Sequence, residues 1–505
     1  MSKRNSKQGK QNRQKKLYMV GIDSAALWIL EQSKNEKGME PLKNFISKGR
    51  LREIESTMPP MTGPAWPTIY TGKQPSVHGV PDFFYMKRDY TPDIAFFDSD
   101  SCRPFWDELA ESGCKCLLIT PAMQTRIDNT PNVEMITGFP LRSKANTKEL
   151  EQMMQKHDFF GEPDIEKFMK SGRMTIEKGS KMFAQSVAKR ASIAKEMMER
   201  HDYDFVYVCF TETDRLQHAT LNNPKCKEYL LPIYREIFSF VGYAMRRAEK
   251  EGAALIIISD HGAQPVKSKF LINTFLIDSG YAVFKDSVQK DLKGQKKGSS
   301  KMPLRYVLRE KLLTTRLRKV YDSMPYGLKK HVYNLSASFF SKISSEDYSH
   351  IHLYDLDMKK TRAFAAISNL DVGTIWINDG RFTSGVVGKE EKQRLKNEII
   401  KKLRQVKSRE GDKLFANVID AKKYYGNTGK FIPADIFAEG KKGYTIDVKY
   451  FSLKSMFMKP ELFKSGDHTR MGIFGEYNGS IYIAKGGGLA SIAPAILKYY
   501  ASKGR

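Results

Sequence analysis

Four short runs of nearly continuous apolar residues alternate along this chain with long amphipathic segments. The runs, each predicted to be a buried strand, are Leu17–Ile22, Cys116–Ile119, Phe205–Phe210 and Ala254–Ile258. Residues 175–200 and 228–251 instead place apolar side chains at near-helical spacing. Strands without polar alternation are typical of a parallel sheet that is covered on both faces. The sequence therefore predicts an α/β fold with a doubly wound, mostly parallel sheet.

The second half of the chain has a different composition. Residues 285–330 are dense in Lys and Arg. The elements predicted after them are strands at 363–367, 373–378 and 446–451, a charged helix at 389–406, and an apolar strand at 480–484 that precedes a terminal helix. The order of the elements predicted between residues 363 and 451 is typical of an α+β domain.

The predicted organisation is a core that is interrupted by an inserted domain. The α/β core comprises residues 17–265 and 461–505, and the inserted α+β cap comprises residues 266–460. Residues 1–16 carry only positive charges and have no large apolar side chain after Met1. Such a segment cannot offset the entropy lost on ordering, so we predict a disordered basic arm.

The chain as a whole is strongly basic. It has 84 Lys and Arg against 57 Asp and Glu, a formal net charge of +27, which attracts anionic partners over long distances. The five cysteines have no repeated metal-ligand spacing and are interpreted as reduced thiols. No apolar run is long enough to cross a bilayer, and Asp23 interrupts the run that follows the basic start. We therefore predict a soluble, cytoplasmic protein without a transmembrane segment.

Carboxylates and imidazoles follow the predicted strands. Asp23, Asp214 and Asp260 come at or just after strand ends, which is where ligands bind in sheets of this type. Asp214 and His218 are four residues apart, so on one helical turn their side chains share a face and can bind one ion. Taken alone, a surface hydrogen-bonded pair is the commoner role of such a pair.

Two further histidines complete the set of candidate metal ligands. Asp260 and His261 end the most apolar strand, and strand alternation would point them to opposite faces unless the chain turns there. Gly262 permits that turn. His468 lies in a polar segment, predicted to be a loop, where the core resumes. A lone loop histidine is usually solvated, so His468 is a candidate only as part of the whole set.

Thr62 is the candidate for a reactive hydroxyl. Pro64 and Pro67 suit the first turn of a helix, so Thr62 would lie just ahead of a helix N-terminus. Backbone N–H groups and the helix dipole favour an anion at that point. A threonine hydroxyl needs a metal or a base to become a nucleophile. Taken alone, a helix cap is its commoner role.

Together and in this order, these segments resemble the alkaline phosphatase superfamily and, within it, the type I phosphodiesterase/nucleotide pyrophosphatase family. The resemblance covers residues 17–498. The matching segments are Gly21-Ile22-Asp23, the segment around Thr62, Thr71-Gly72 through His78-Gly79, Thr213-Asp214 with His218, Ser259-Asp260-His261-Gly262 and Gly466-Asp467-His468. Each segment alone is weak, but the ordered set is specific.

The resemblance implies an alkaline phosphatase-like fold and a hydrolase of phosphate esters with two divalent metal ions, zinc in many relatives and manganese in some. The implied ligand sets are Asp214, His218 and His468 for one ion, and Asp23, Asp260, His261 and the Thr62 oxygen for the other. It also implies that Thr62 attacks the phosphorus and that water then hydrolyses a phosphothreonine intermediate.

The implied substrate is an anionic phosphate ester, with a phosphodiester or pyrophosphate bond as the leading expectation. Nucleotide pyrophosphatases usually have an Asn shortly after the nucleophile, whereas Gly63-Pro64-Ala65-Trp66 stands here. Phosphomonoesters and phosphonates are therefore an open alternative on the same site. The alternative of another class is a non-catalytic protein that binds polyanions through its basic arm and cap.

Overall fold

The structure is a computed structural model that describes residues 15–127, 129–170, 173–286, 353, 355–367, 371–426, 428–448, 455–460, 465–479, 481–483 and 486–502. Residues 1–14 of the predicted basic arm, and most of the stretch 285–330, lie outside these residues. The five cysteines are free thiols, as predicted. In the described part of the chain, no helix is long and apolar enough to span a membrane. The predicted cellular location stays a prediction.

The described strands and helices follow in chain order. The strands are β1 (Leu17–Ile22), β2 (Arg50–Glu55), β3 (Phe84–Met86), β4 (Pro92–Ile94), β5 (Cys116–Ile119), β6 (Val133–Ile136), β7 (Phe205–Phe210), β8 (Ala254–Ile258), β9 (Gly262–Pro265), β10 (Ser268–Leu271), β11 (Ala363–Ala365), β12 (Val372–Ile377), β13 (Phe415–Asp420), β14 (Ile436–Gly440), β15 (Tyr444–Asp447), β16 (Phe457–Met458), β17 (Gly466–Thr469) and β18 (Met471–Tyr477). The α-helices are α1 (Leu27–Ser33), α2 (Glu40–Lys48), α3 (Thr62–Thr71), α4 (Pro75–His78), α5 (Phe105–Glu111), α6 (Lys148–Lys156), α7 (Glu166–Lys170), α8 (Ile176–Arg200), α9 (Glu212–Thr220), α10 (Cys226–Glu251), α11 (Ile272–Asp278), α12 (Lys389–Leu403), α13 (Lys422–Tyr425) and α14 (Ile492–Ala501). A 3₁₀ helix at Leu489–Ser491 precedes α14.

These elements form two compact units. The first unit comprises Met1–Phe83, Ala95–Val266 and Glu461–Arg505, and the second comprises Phe84–Ile94 and Lys267–Pro460. The hairpin of β3 and β4 belongs to the second unit, although it lies within residues 17–265, the range predicted for the core. No pattern in the sequence indicates that this hairpin leaves the first unit for the second.

The first unit is built on a seven-stranded sheet in the order β2-β18-β8-β1-β7-β5-β6. The strands from β8 to β6 are parallel, and β18 runs antiparallel to both of its neighbours. All residues of β1, β5, β7 and β8 are buried. The predicted α/β fold with a mostly parallel sheet is confirmed.

Strand β1 shows why these strands have no polar face. Because side chains alternate along a strand, Tyr18 and Val20 point into the core cluster that also contains side chains of α8 and α10. Gly21 points to the opposite face, where a Cβ atom would lie 2.8 Å from the ring of Trp66 on α3. Helices therefore cover both faces, and the strand is apolar throughout.

The two long helices of the first unit are present as predicted, and their ends have local causes. Helix α8 begins after Thr175, whose hydroxyl accepts a hydrogen bond from the backbone N–H of Lys178 at 3.2 Å. Helix α10 ends at Gly252, which has a left-handed conformation with φ of +71°.

The predicted strand at 480–484 is wrong. Residues 481–483 are not in a strand, and the strand that completes the sheet is β18, closer to the start of the returning segment. Gly472 and Gly475 interrupt the apolar pattern of β18. A Cβ atom at Gly475 would lie 2.7 Å from the ring of Phe45. Close packing therefore requires glycine at these positions. Because glycine is not a large apolar residue, the apolar run that would predict a strand is broken here.

The second unit has an antiparallel sheet in the order β11-β12-β14-β13 and a smaller sheet in the order β15-β10-β16. Helix α12 packs on β13 and β14 through apolar residues such as Leu395 and Ile399. The unit is therefore α+β. The strands predicted at 363–367 and 373–378 and the helix predicted at 389–406 correspond to β11, β12 and α12. The strand predicted at 446–451 overlaps β15, and residues 449–451 lie outside the described part.

Candidate functional site

Five of the predicted site residues lie at the carboxyl-end edge of the parallel sheet. Asp23 follows β1 directly, and Asp260 and His261 follow β8. Asp214 and His218 lie on α9, which starts just after β7. Carboxyl ends of neighbouring parallel strands meet at one edge, so residues far apart in sequence come together there.

His468 reaches this edge from the last part of the chain. The predicted polar loop is wrong, because His468 lies in β17, which pairs in antiparallel fashion with β9 and sets His468 opposite Ala263. Gly466 allows β17 to approach α9 closely. A Cβ atom at Gly466 would lie 2.3 Å from the backbone oxygen of Gln217. The imidazole is therefore positioned by a strand pair.

The chain turns between β8 and β9, but Gly262 is not the cause. Gly262 begins β9 without a positive φ, and its missing side chain instead allows close approach of β18, because a Cβ atom would lie 2.1 Å from the Met471 oxygen. Ser259 holds the turn, since its hydroxyl donates to the backbone oxygen of His261 and accepts from the Ala25 N–H at 3.0 Å.

Asp214, His218 and His468 form one cluster of possible metal ligands. Asp214 Oδ1 lies 3.1 Å from His468 Nε2 and 3.4 Å from His218 Nε2. The two Nε2 atoms are 3.0 Å apart. Two unprotonated ring nitrogens repel at this distance, so a proton or a cation belongs between them.

Asp23, Asp260 and His261 form a second cluster. His261 Nε2 lies 3.1 Å from Asp260 Oδ2 and 3.6 Å from Asp23 Oδ1. In each of the two clusters, the three ligand atoms lie within 4.8 Å of one another. The ring of His261 also stacks on that of His468 with centroids 3.8 Å apart, so the two clusters are adjacent.

Thr62 lies beside the second cluster. Its Oγ1 is 3.4 Å from both carboxylate oxygens of Asp23 and 3.4 Å from His261 Nε2. Thr62 is itself the first residue of α3, one position further into the helix than predicted, and Pro67 lies inside the helix. The hydroxyl thus sits at a helix N-terminus, where free N–H groups and the dipole favour an anion.

The hydrogen bonds of the three imidazoles orient their Nε2 atoms toward the site. In each ring, Nδ1 lies within hydrogen-bond distance of a backbone carbonyl. The carbonyls are those of Gly466 for His218 (3.0 Å), Pro60 for His468 (2.9 Å) and Gly262 for His261 (3.2 Å). Because a carbonyl oxygen only accepts, each Nδ1 carries a proton and each Nε2 is left to bind a cation.

The carboxylates crowd one buried region. Burial, followed by repulsion from Asp260 and Asp214, raises the pKa of Asp23 well above its usual range. Burial also raises the pKa of Asp260 to about 7, with further repulsion from Asp214. For His468, burial acts to lower the pKa, but the Asp214 carboxylate overrides it and raises the pKa to about 9. The raised pKa values of Asp23 and Asp260 reflect burial and crowded negative charge, which divalent cations would balance.

Two carboxylate oxygens of the site face imidazole Nε2 atoms at 3.1 Å but accept no well-directed hydrogen bond among the described residues. They are Asp214 Oδ1 and Asp260 Oδ2, and both atoms are buried. A buried carboxylate oxygen that accepts no well-directed hydrogen bond is costly, so these atoms fit cation ligands better than structural acceptors. The mixture of imidazole and carboxylate donors suits zinc or manganese.

Neighbouring groups hold the carboxylates in place. The Trp66 indole N–H donates to Asp23 Oδ2 at 3.3 Å, and the Thr213 hydroxyl donates to the backbone oxygen of Asp23 at 2.5 Å. The backbone N–H of Ser24 donates to Asp260 Oδ1 at 3.1 Å. Such contacts fix the direction in which a ligand oxygen points.

A buried ionic network that no sequence motif predicts supports the start of α9. Arg190 of α8 is 0% exposed. Its guanidinium donates to the Glu212 carboxylate, to the Cys209 backbone oxygen at 2.8 Å and to Glu162 at 3.3 Å. Glu162 also accepts from Arg215 at 3.3 Å. The only signal in the sequence is a charged residue at an otherwise apolar position of a predicted helix.

Replacing Arg190 by methionine is expected to destabilise the protein by about 3–5 kcal/mol, because the buried Glu212 carboxylate loses its counter-charge. The double variant Arg190→Met/Glu212→Leu should regain most of this loss, since it leaves neither charge unpaired. Urea unfolding followed by circular dichroism measures the free energy of unfolding of both variants. A single variant as stable as the wild type would contradict the role of this pair.

Comparisons with known proteins give the family and the fold of the chain. Residues 17–398 match the family model of type I phosphodiesterase/nucleotide pyrophosphatase. Among solved structures, phosphonoacetate hydrolase from Sinorhizobium meliloti 1021 with phosphonoformate has a TM-score of 0.55 at 12% identity, covering 97% of this chain and 96% of that chain. With phosphonoacetate, the same enzyme has a TM-score of 0.54 at 11% identity and the same coverage. Human ectonucleotide pyrophosphatase/phosphodiesterase 5 has a TM-score of 0.48 at 12% identity, covering 96% and 95% of the two chains. No curated protein matches the sequence.

The matched residues include six of the seven predicted site residues, and His468 lies beyond them. At such low identity, the likeness to the Sinorhizobium structures shows the fold, which is the predicted alkaline phosphatase-like fold. The family follows from the match over most of the sequence. The predicted family is confirmed, and the chain belongs to the type I phosphodiesterase/nucleotide pyrophosphatase family, whose members hydrolyse phosphate esters.

Proposed function

We propose that this protein is a metal-dependent hydrolase of phosphate esters that acts on phosphodiester or pyrophosphate bonds. The observation that supports this most strongly is the pair of adjacent clusters of imidazole Nε2 atoms and carboxylates, one of which lies beside the Thr62 hydroxyl. Bound divalent ions would neutralise charge on the phosphoryl oxygens and lower the pKa of a bound hydroxyl or water.

The proposed ligand sets correspond to the two clusters. They are Asp214, His218 and His468 for one ion, and Asp23, Asp260, His261 and the Thr62 oxygen for the other. The nature of the ligands supports zinc or manganese. The backbone carbonyls on the Nδ1 atoms would keep each imidazole in the tautomer that binds a cation.

Thr62 is the proposed nucleophile. Its Oγ1 attacks the phosphorus and gives up its proton, a new O–P bond forms, and the bond to the leaving-group oxygen breaks so that an alkoxide or a phosphate departs, the alkoxide taking a proton from water. A carboxylate oxygen of Asp23 lies within reach of the Thr62 proton. The N-terminal N–H groups of α3 face the charge that develops on the phosphoryl oxygens. Water then hydrolyses the phosphothreonine and restores the hydroxyl.

The purified protein is expected to cleave bis(p-nitrophenyl) phosphate, and a chelator should abolish the reaction. Addition of zinc or manganese after removal of the chelator should restore it, because the ligands remain in place. Release of p-nitrophenol measures the rate. Absence of cleavage with every divalent metal tested, or full activity in the presence of the chelator, would contradict the proposed function.

A second candidate uses the same residues on phosphomonoesters or phosphonates. None of Gly63, Pro64 and Ala65 has a polar side chain, and the indole N–H of Trp66 donates to Asp23. This segment therefore offers a substrate phosphate no free side-chain donor of the kind that nucleotide pyrophosphatases usually have. Phosphonoacetate is the named substrate of the Sinorhizobium enzyme of similar fold.

Relative rates separate the two candidates. The value of kcat/KM should be compared for bis(p-nitrophenyl) phosphate, p-nitrophenyl phosphate and phosphonoacetate with the same metal-loaded preparation. A higher value for the diester supports the first candidate. A higher value for the monoester or for phosphonoacetate would replace it by the second.

A further inference from the structure

The second unit contains a cavity whose rim is dominated by positive charge. The cavity has a volume of about 700 Å³. Its charged lining residues, which we call the basic groove, are Lys401, Arg404, Lys407, Lys413, Lys423 and Asp420. None of these residues belongs to the candidate active site, so the groove needs an explanation of its own.

Ordered elements position the cations of the groove. Lys401 lies in the last turn of α12, and Lys423 lies on α13. Lys407 and Lys413 face each other across an isolated antiparallel bridge. Strand β13, which lines the groove with Asp420, is an edge strand of its sheet. The charges therefore come from several parts of the fold and meet around one concave surface.

These charges are not neutralised within the described part of the unit. Lys401, Lys407, Lys413 and Lys423 are exposed and have neither an ion pair nor a side-chain hydrogen bond among the described residues. The acidic residue of the groove, Asp420, is paired with Lys396. Like charges held around a concavity raise the local concentration of anions, so the groove favours an anionic ligand.

Ordinary structural roles explain only part of this arrangement. A lysine in the last turn of a helix interacts favourably with the helix dipole, which accounts for Lys401. Lysines on an edge strand prevent pairing with another chain. However, Lys407, Lys413 and Lys423 lie neither on α12 nor on β13. Their presence around the cavity is what a binding site for anions requires.

We propose that the basic groove binds a compact anion that carries several phosphate groups. The cavity volume lies within the range typical of small-ligand sites, about 300–1,000 Å³. None of the described residues that line it is aromatic, so among them bases of a single-stranded nucleic acid would find no stacking partner. Several cations from different elements match several phosphate groups on one small molecule. This binding is separate from the proposed catalysis and does not depend on it.

Calorimetric titration of the full chain with myo-inositol hexasulfate tests the proposal. The sulfate groups stand in for phosphates, and the probe binds metal ions only weakly. The triple variant Lys407→Gln/Lys413→Gln/Lys423→Gln should bind at least about tenfold more weakly, because three exposed charge contacts are lost. Added salt should weaken binding to the wild type, since exposed charges are screened beyond about 10 Å at 0.1 M.

A matched control separates the groove from net charge. The variant Lys359→Gln/Lys430→Gln/Lys442→Gln removes three exposed positive charges elsewhere in the same unit and should bind like the wild type. Lys407→Arg/Lys413→Arg/Lys423→Arg keeps the charges and should retain binding. An unchanged circular dichroism spectrum would show that the groove variant is folded.

Three results would overturn the proposal. One is that the hexasulfate does not bind to the wild type. Another is that its affinity falls equally in the groove variant and in the control variant. The third is that a short single-stranded oligonucleotide binds to the wild type more tightly than the hexasulfate does, and that the groove variant no longer binds it. That result would assign the groove to nucleic acid instead of a compact anion.

Discussion

Replacing Thr62 by alanine is expected to lower the turnover of bis(p-nitrophenyl) phosphate by about 10³-fold or more, because the proposed reaction then has no nucleophile. Other hydroxyls near the site are already engaged. The Thr213 hydroxyl donates to the backbone oxygen of Asp23, and that of Ser24 lies 3.4 Å from the backbone oxygen of Gly262. Neither is placed to substitute for Thr62, whose Oγ1 lies beside His261 and Asp23.

Thr62→Ser is the matched control, since it keeps a hydroxyl at the start of α3. It should retain turnover within about tenfold of the wild type, and the metal content of both variants should stay close to that of the wild type. A rapid acid quench during turnover should also leave phosphate on the peptide that contains Thr62. An alanine variant with wild-type turnover would rule out the phosphothreonine route.

Replacing Asp214 by alanine is expected to remove one of the two proposed metal ions and to lower turnover by about 10³-fold. Asp214 Oδ1 is the atom that both His218 Nε2 and His468 Nε2 face, at 3.4 and 3.1 Å. Without it, two imidazoles remain and the cluster loses its only charged ligand. Elemental analysis after dialysis should give about one ion per chain, against about two for the wild type.

Asp158→Ala is a suitable control, because Asp158 is a surface carboxylate that pairs with Lys189 and not with the site. Its metal content and turnover should match those of the wild type. Metal-loaded wild-type protein should also unfold at a higher temperature than chelator-treated protein, since a ligand that binds only the folded state stabilises it. Full metal content in Asp214→Ala would contradict the proposed ligand set.

The central strands of the sheet were predictable because they are buried on both faces. Strands β1, β5, β7 and β8 have the bounds that their apolar runs predicted. Strand β18 was not predictable in this way. It packs so closely on its neighbours that it needs glycines, and a Cβ atom at Gly472 would lie 2.8 Å from the Ser259 oxygen.

The site was predictable in part. The spacing of Asp214 and His218 on a helix and the position of Asp260 after an apolar strand follow from local sequence. The role of Arg190 does not follow from local sequence, because its partner Glu212 belongs to a different helix. The place of His468 depends on the pairing of β17 with β9, some two hundred residues earlier in the chain.

The sequence by itself determined the fold class, the family and the residue types that can bind metal ions, because apolar burial, helical spacing and motif order are local properties of the chain. Tertiary structure alone decided that three Nε2 atoms and three carboxylates meet in two clusters, one of them beside the Thr62 hydroxyl, and that cations from several elements surround one groove. These arrangements depend on distances between segments far apart in sequence. Such distances are set by strand pairing and close packing, which no local pattern encodes.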